Sequence, residues 1–231
     1  MPLSICVYSS SSDHLDAVYY ETARELAHLM AARRHTLVYG GGNNGLMGAM
    51  ATEMQRTGGG RIVGVIPIAL KEAGYCLETI DEVIVTDGMR DRKAVMDERA
   101  DAFVALPGGF GTLEEIIEML TWRQLGIGDK PCAFLDVAGY WSPIAQMMDR
   151  MVADRFLHPD QRQDLWIGDD IGEMLGWMRA YEPVQATKWL NEKRGKSLRR
   201  DALGGARWAR PRAATIAGTA TRRSAWRAAR S

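Results

Sequence analysis

The sequence predicts an α/β protein built on a parallel sheet with helices on both faces. Short apolar runs alternate along the chain with helical patterns of ten or more residues, as expected for parallel strands joined by crossover helices. Three of these runs end in clusters of small residues, at positions 9–12, 40–45 and 107–112. Because ligands bind at the carboxyl ends of parallel strands, we expect the three clusters to line one crevice.

The amino-terminal half contains four of the expected strands. Each is a short run of β-branched and other apolar residues that stops at a turn-forming or polar residue. Pro67 ends the third strand, and three glycines at residues 58–60 end the helix before it. The expected strands span residues 3–9, 36–39, 61–66 and 83–85, and the expected helices span residues 15–34, 46–56 and 89–100.

The second half continues the alternation from an apolar run at residues 102–106. A glycine turn follows this run, and a helical pattern with Leu113, Ile116, Ile117 and Leu120 leaves the turn. Beyond this helix we expect strands at residues 133–135 and 165–167 and helices at residues 140–155 and 171–181.

The formal net charge of zero combines an acidic body with a basic tail. The first 187 residues contain 16 Lys and Arg against 27 Asp and Glu, whereas the rest of the chain contains 13 against 2. An acidic body argues against nucleic acid as the main partner, whereas the basic tail keeps that question open. Because the periodic pattern stops near Trp189, we expect one folded domain over residues 1–190 and a disordered Ala- and Arg-rich tail over residues 191–231.

Cysteine usage and hydropathy indicate a cytoplasmic protein. Cys6, Cys76 and Cys132 are odd in number and widely spaced, which suggests reduced thiols rather than a disulfide framework. We expect no signal peptide and no membrane contact, because no apolar run has the required length or flanks. No Cys or His spacing suggests zinc, and we expect no metal.

The motif at residues 107–115 is the strongest chemical signal. Its glycines allow the backbone to approach a ligand closely, and the free N–H groups and dipole of the next helix favour an anion there. Two carboxylates, Glu114 and Glu115, follow within the first turn of that helix. A phosphate cradle beside a carboxylate suits the cleavage of a phosphorylated small molecule.

Structural interpretations compete with this functional one. Thr112-x-x-Glu115 matches a capping box, in which the Glu side chain bonds back to the N-cap N–H. Glu114 and Glu118 match a solvent-facing pair on a helix. The charged run at residues 91–93 matches a solvated helix start, although its two cations would also suit a phosphate or developing negative charge.

Two glycine motifs match nucleotide-binding fingerprints only in spelling. Gly40-x-Gly42-x-x-Gly45 follows the second strand, and the next strand ends without an acid for a ribose hydroxyl. Gly195-Lys196-Ser197 lacks the earlier glycine and the preceding strand of a Walker loop. We therefore expect neither NAD nor FAD.

Six motifs carry a family resemblance by occurring together in one order. They are Tyr39-Gly40-Gly41-Gly42, Gly45-Leu46-Met47-Gly48, Gly64-Val65-Ile66-Pro67, Met89-x-x-Arg92-Lys93, Pro107-Gly108-Gly109-x-Gly111-Thr112-x-x-Glu115 and Thr121-Trp122-x-Gln124-Leu125-Gly126. Over roughly residues 3–190 the chain resembles the LOG (Lonely Guy) family of cytokinin-activating phosphoribohydrolases.

The resemblance implies a Rossmann-like fold, a homodimer and hydrolysis of the N-glycosidic bond of N6-modified adenosine 5′-monophosphates. The products would be the free base, a cytokinin, and ribose 5-phosphate. Arg92 and Glu115 would be the catalytic pair, without a metal or redox cofactor. The other residues expected to bind substrate or phosphate are Gly41, Gly42, Lys93, Gly108, Gly109, Phe110, Gly111, Thr112, Leu113, Glu114 and Thr121.

Two alternative functions and two departures from the family pattern stay open. The alternatives are a general nucleosidase acting on AMP or GMP and a non-catalytic nucleotide or cofactor carrier of the same fold. Retention of both Arg92 and Glu115 favours an enzyme. Arg90 stands where many relatives carry His, and Glu72 is the nearest candidate for a glutamate that relatives place around Gly74, so the residue that contacts the base is open.

Overall fold

Seven parallel strands form one sheet in the computed structural model, which describes residues 1–183. The strands are β1 (Ser4–Tyr8), β2 (Thr36–Tyr39), β3 (Arg61–Pro67), β4 (Glu82–Thr86), β5 (Ala102–Ala105), β6 (Cys132–Leu135) and β7 (Trp166–Gly168). Their order across the sheet is β4-β3-β2-β1-β5-β6-β7, and every neighbouring pair is parallel. The predicted parallel α/β fold is confirmed.

Helices cover both faces of this sheet. They are α1 (Ala17–Ala32), α2 (Gly45–Thr57), α3 (Ile68–Glu72), α4 (Met89–Arg99), α5 (Phe110–Leu125), α6 (Ser142–Ala153), α7 (Pro159–Gln163) and α8 (Ile171–Ala180). Successive strand residues point to opposite faces. Ile5 and Val7 therefore pack with α1, α2 and α8, whereas Cys6 and Tyr8 pack with α4, α5 and α6.

The strand order reverses between β1 and β5. From β1 the chain builds the sheet outward through β2, β3 and β4, and it then returns to add β5 on the other side of β1. Such a switch point opens a crevice at the carboxyl ends of the two central strands. Residues 9–12 follow β1 and residues 106–109 follow β5 at this edge, where the Leu106 N–H donates to the Tyr8 carbonyl.

Two short helices and one helix start differ from the sequence prediction. Helices α3 and α7 have five residues each, too few to show a 3.6-residue period. Pro67 ends β3 but also precedes α3 as its N-cap residue. A 3₁₀ turn at Val137–Gly139 delays α6 until Ser142, and the Asp136 carboxylate accepts hydrogen bonds from the Trp141 N–H and the Ser142 hydroxyl.

The expected basic tail at residues 191–231 lies outside the described residues, as does the end of the expected domain at residue 190. Within residues 1–183 no helix is both long and apolar enough to cross a bilayer. In the same part of the chain, no cluster of three or more His, Cys, Asp or Glu side chains is arranged to hold a metal ion. The three cysteines form no disulfide.

Candidate active site

The three predicted small-residue clusters meet in one cavity of about 680 Å³ at the carboxyl edge of the sheet. Residues 9–12 after β1, two glycines after β2 and the start of α5 all line it. The prediction of a shared crevice is confirmed. Parallel strands bring these clusters together because their carboxyl ends lie at the same edge.

The amino terminus of α5 is open toward this cavity. Its N-cap residue is Gly109, which offers no side chain to cap the helix. A Cβ atom built on Gly109 or on Gly111 would meet no atom within 4 Å, so space remains beside the first turn. Free N–H groups and the helix dipole make this end suitable for a phosphate group.

The amino terminus of α2, which follows the other glycine turn, is already occupied. The Asp13 carboxylate accepts a hydrogen bond from the Gly45 N–H at 2.7 Å, and the Ser10 carbonyl accepts one from the Leu46 N–H at 3.0 Å. A carboxylate at a helix N-terminus takes the place that an external anion would need. Of these two helix ends that follow glycine turns, α5 is therefore the one available to phosphate.

The capping-box interpretation of the central motif is wrong. Helix α5 begins at Phe110, so Thr112 and Glu115 lie inside the helix rather than at its start, and no side chain bonds to the N-cap residue. Thr112 instead packs on Gly108, where a Cβ atom would lie 2.1 Å from the Thr112 Oγ1 atom. Glu115 is thereby free to contact a residue on another element.

Glu115 pairs with Arg92 across the cavity floor. One Arg92 Nη1 N–H donates to the Glu115 Oε1 atom at 3.2 Å, and the Arg92 Nε N–H donates to the Val65 carbonyl at 3.0 Å. Arg92 is 8% exposed and Glu115 is 9% exposed, so the prediction of a solvated helix start is wrong for Arg92. Burial raises the pKa of the Glu115 carboxyl, and the Arg92 charge partly opposes that rise.

Lys93 connects α4 to α5 beside this pair. Its ammonium group lies 2.5 Å from a Glu114 carboxylate oxygen and 3.0 Å from a Glu118 carboxylate oxygen. The Glu114 and Glu118 side chains are 59% and 30% exposed, so they face solvent as interpreted and also pair with Lys93. Two ion pairs between the helices help to keep the neighbouring Arg92 and Glu115 in register.

The structure brings seven of the predicted site residues to the cavity and places six elsewhere. Gly41 lies behind the turn with its carbonyl bonded to the Leu77 N–H, and the Gly108 carbonyl accepts from the Tyr140 hydroxyl. Those that line the cavity are Gly42, Arg92, Gly109, Gly111, Thr112, Glu114 and Glu115; those that do not are Gly41, Lys93, Gly108, Phe110, Leu113 and Thr121.

Leu113 and Thr121 line a second concavity on the other side of α5. Phe110 is 93% exposed at the helix start. Glu72 and Arg90, the two positions that depart from the family pattern, are exposed, and neither lines the cavity. Neither position therefore identifies the residue that contacts the base.

Apolar side chains that the sequence did not point to line the remaining walls. Leu70 and Tyr75 come from α3 and the loop after it, and an antiparallel bridge between Gly42 and Cys76 holds that loop against the glycine turn. A five-residue helix carries no periodic signal, so nothing local could have identified them. The other apolar lining residues are Val7, Tyr8, Met47, Ile66, Met89 and Met96.

Comparison with known proteins identifies relatives over most of the chain. Residues 47–178 match the family described as "Possible lysine decarboxylase". The chain is 39% identical to cytokinin riboside 5′-monophosphate phosphoribohydrolase LOG5 of Arabidopsis thaliana over 195 residues, which cover 82% of this chain and 85% of the relative. It is 41% identical to LOG7 of the same plant over 179 residues, covering 78% of this chain and 82% of that relative.

Solved structures of similar fold are more distant in sequence. A molybdenum cofactor carrier protein from Chlamydomonas reinhardtii is 18% identical, with a TM-score of 0.59 over 78% of this chain and all of that one. A molybdenum cofactor binding protein from Rippkaea orientalis is 20% identical, with a TM-score of 0.58 over 78% of this chain and 98% of that one. At these identities the likeness concerns the fold alone.

Proposed function

Because this chain belongs to the LOG family, whose phosphoribohydrolases it matches over most of its length, we propose that it releases a cytokinin base from its nucleotide. The reaction is hydrolysis of the N-glycosidic bond of an N6-modified adenosine 5′-monophosphate. The water oxygen bonds to the ribose C1′ carbon as the C1′–N9 bond breaks, the proton that the water loses is taken up by the departing base, and ribose 5-phosphate and the free base leave.

The observation that carries this proposal is the buried Arg92–Glu115 pair beside the open end of α5. In the proposed mechanism the phosphate binds at the α5 amino terminus, and this remote contact positions the ribose. Positive charge that develops at C1′ is then stabilised by the Glu115 carboxylate, which also orients the attacking water. Arg92 opposes the rise in the pKa of the Glu115 carboxyl through its charge and holds that group in place through its hydrogen bond.

The same site is poorly suited to the decarboxylation of lysine. A pyridoxal-binding lysine must present a neutral amine, which requires a lowered pKa. Burial lowers the pKa of Lys93, but the hydrogen bonds from its ammonium group to Glu114 and Glu118 outweigh burial and raise it above the ordinary value. Lys93 therefore stays a cation that bridges two helices.

The apolar walls support a purine with an apolar substituent. Leu70, Tyr75 and Met89 line the cavity and are 40%, 50% and 52% exposed, so their apolar surface is available to a bound base. Burying such surface against an isopentenyl group is favourable. An unmodified base would leave more of that surface in contact with water.

A panel of nucleotides tests the proposal. The protein is incubated with isopentenyladenosine monophosphate, AMP, GMP and isopentenyladenosine, and released bases are separated by chromatography. We expect kcat/KM to be about tenfold or more higher for the isopentenyl nucleotide than for AMP. The riboside, which lacks the phosphate that positions the ribose, serves as the matched control and should react poorly.

Other outcomes of the panel would contradict the proposal in distinct ways. Rates of base release from AMP and GMP that equal the rate from isopentenyladenosine monophosphate would indicate a general purine nucleotide nucleosidase. Binding of nucleotides without release of any base would indicate a carrier, as the structurally similar protein from Chlamydomonas reinhardtii is named.

The protein is also proposed to act as a homodimer, through a groove between α5 and α6. Ile117 on α5 and Met147 on α6 are 39% and 53% exposed in this groove, which has a volume of about 390 Å³. Its walls are mainly apolar and include Leu120, Ile144 and Met151. A second copy of the chain is the occupant that the LOG resemblance implies, and an isologous contact would bury both grooves together.

Charged substitutions in this groove should dissociate the dimer. Ile117→Lys with Met147→Lys would place unpaired charges in the interface twice, once from each subunit, and should raise the dissociation constant about 10²-fold or more. Light scattering of the wild type at micromolar concentration should give the dimer mass. Val18→Lys, on the exposed face of α1, is the matched control. A monomeric wild type would refute the dimer.

A further inference from the structure

Gly40 is a buried glycine whose own backbone does not require glycine. It directly follows β2 and begins the turn at residues 40–42. Its neighbour Gly41 has a φ of 72°, in the left-handed region that favours glycine, but Gly40 is not among the residues with positive φ. Any residue could adopt this backbone conformation, so the reason for the missing side chain lies in what surrounds it.

The surrounding group is the guanidinium of Arg92. A Cβ atom on Gly40 would lie 2.0 Å from the Arg92 Nη2 atom and 3.2 Å from its Cζ atom. Ordinary contact begins at 3.4 Å, so the guanidinium would have to move by more than about 1 Å. The next contact, with the Met47 Sδ atom at 3.1 Å, is with a flexible side chain that can adjust.

We propose that Gly40 is a positioning residue that seats the Arg92 guanidinium against Glu115, and this inference rests on the proposed function. The obstructing atoms are the far end of a side chain, not backbone, so a methyl group at Gly40 should displace Arg92 while the fold persists. Because the guanidinium is planar and rigid, a shift of Nη2 away from Gly40 is expected to lengthen the hydrogen bonds that Arg92 donates to Val65 and Glu115.

Displacing Arg92 removes the cation that pairs with Glu115 and changes the orientation of the carboxylate. A misplacement of about 1 Å in a catalytic arrangement can cost about 10²-fold in rate. Gly40→Ala is therefore expected to lower kcat by about 10²-fold in a protein that still folds, and to lower the melting temperature less than Arg92→Ala does. Gly176→Ala on α8, where a Cβ atom meets nothing within 4 Å, is the matched control and should keep the wild-type kcat and melting temperature.

A double-mutant cycle of Gly40→Ala with Arg92→Lys distinguishes a role of Gly40 in positioning Arg92 from a general structural role. Lysine has neither the Nη2 nor the Cζ atom that the methyl group introduced by Gly40→Ala would contact. We expect Arg92→Lys to lower turnover by itself, because a lysine ammonium cannot reproduce the planar set of hydrogen-bond donors of a guanidinium. In that background, adding Gly40→Ala should cost less than about threefold, since the clash is gone. An equal loss in both backgrounds would overturn the proposal.

A crystal structure of the Gly40→Ala variant gives a second reading that does not depend on turnover. We expect the Arg92 Nη1 atom to lie beyond hydrogen-bond distance of Glu115. A guanidinium in its wild-type position would refute the proposal that Gly40 positions it. If Gly40→Ala fails to fold but Gly40→Ala with Arg92→Lys folds, the clash with Arg92 is supported. If neither variant folds, the positioning role of Gly40 is refuted. Failure of the proposed function would instead show as a wild type that releases no base.

Discussion

Glu115→Gln is expected to lower turnover by about 10²-fold or more while the fold persists. Glutamine keeps the shape of the side chain, and its carbonyl can still accept the hydrogen bond from Arg92. It lacks the negative charge that the developing C1′ cation needs, and losing such an electrostatic contact typically costs about 10²- to 10³-fold. Nucleotide affinity should change little, because the substitution leaves the proposed phosphate site at the amino terminus of α5 intact.

Three measurements check this prediction: kcat on isopentenyladenosine monophosphate, affinity for AMP and melting temperature. Glu25→Gln, an exposed residue of α1, is the matched control for the chemical change and should behave as the wild type. A Glu115→Gln protein with near-normal turnover would refute the catalytic assignment. Loss of turnover together with a large fall in melting temperature would indicate a structural role instead.

The pH dependence of the wild type should report the same group. Burial raises the pKa of Glu115 above its ordinary value of 4.5, so turnover should begin to fall on the acid side at a higher pH than an exposed glutamate would cause. The folded state favours the protonated carboxyl. The Glu115 carboxyl therefore makes its full contribution to stability below the pKa that it has in the unfolded chain. This contribution is lost as the pH rises through its pKa in the folded protein. Glu115→Gln should lack that component.

Arg92→Ala is expected to lower turnover by about 10²-fold or more and also to weaken AMP binding. Arg92 lowers the pKa of Glu115, so its removal should raise that pKa further and shift the acid-side loss of activity to higher pH. Arg92→Ala removes both the charge and the hydrogen-bond donor from a buried ion pair, which costs about 3–5 kcal/mol, and a lower melting temperature should accompany the kinetic change. This combination distinguishes Arg92→Ala from Glu115→Gln.

Arg90→Ala is the matched control on the same helix. Arg90 is exposed and does not line the cavity, so this variant should retain turnover, AMP affinity and melting temperature. Normal kcat in Arg92→Ala would contradict the role given to the pair. Normal AMP affinity with reduced kcat would limit Arg92 to orienting Glu115.

The fold and the location of the site followed from local patterns in the sequence. Alternating strand and helix periods predicted the parallel sheet, and small residues at strand ends predicted a shared crevice, because both patterns arise from neighbouring residues along the chain. The family motifs named Arg92 and Glu115 together. The five-residue helices α3 and α7 were missed because they are shorter than the period that reveals a helix.

Only the tertiary structure decided between the competing interpretations of the motif residues. Thr112-x-x-Glu115 spells a capping box, yet Glu115 pairs with Arg92, 23 residues away in sequence. Asp13 closes the α2 amino terminus from 32 residues away, which leaves α5 for phosphate. Gly40 belongs to a glycine turn by spelling, and its contact with the Arg92 guanidinium exists only after β2 and α4 have packed. Sequence determined which residue types stand at the strand ends, whereas long-range packing determined which of them contact each other.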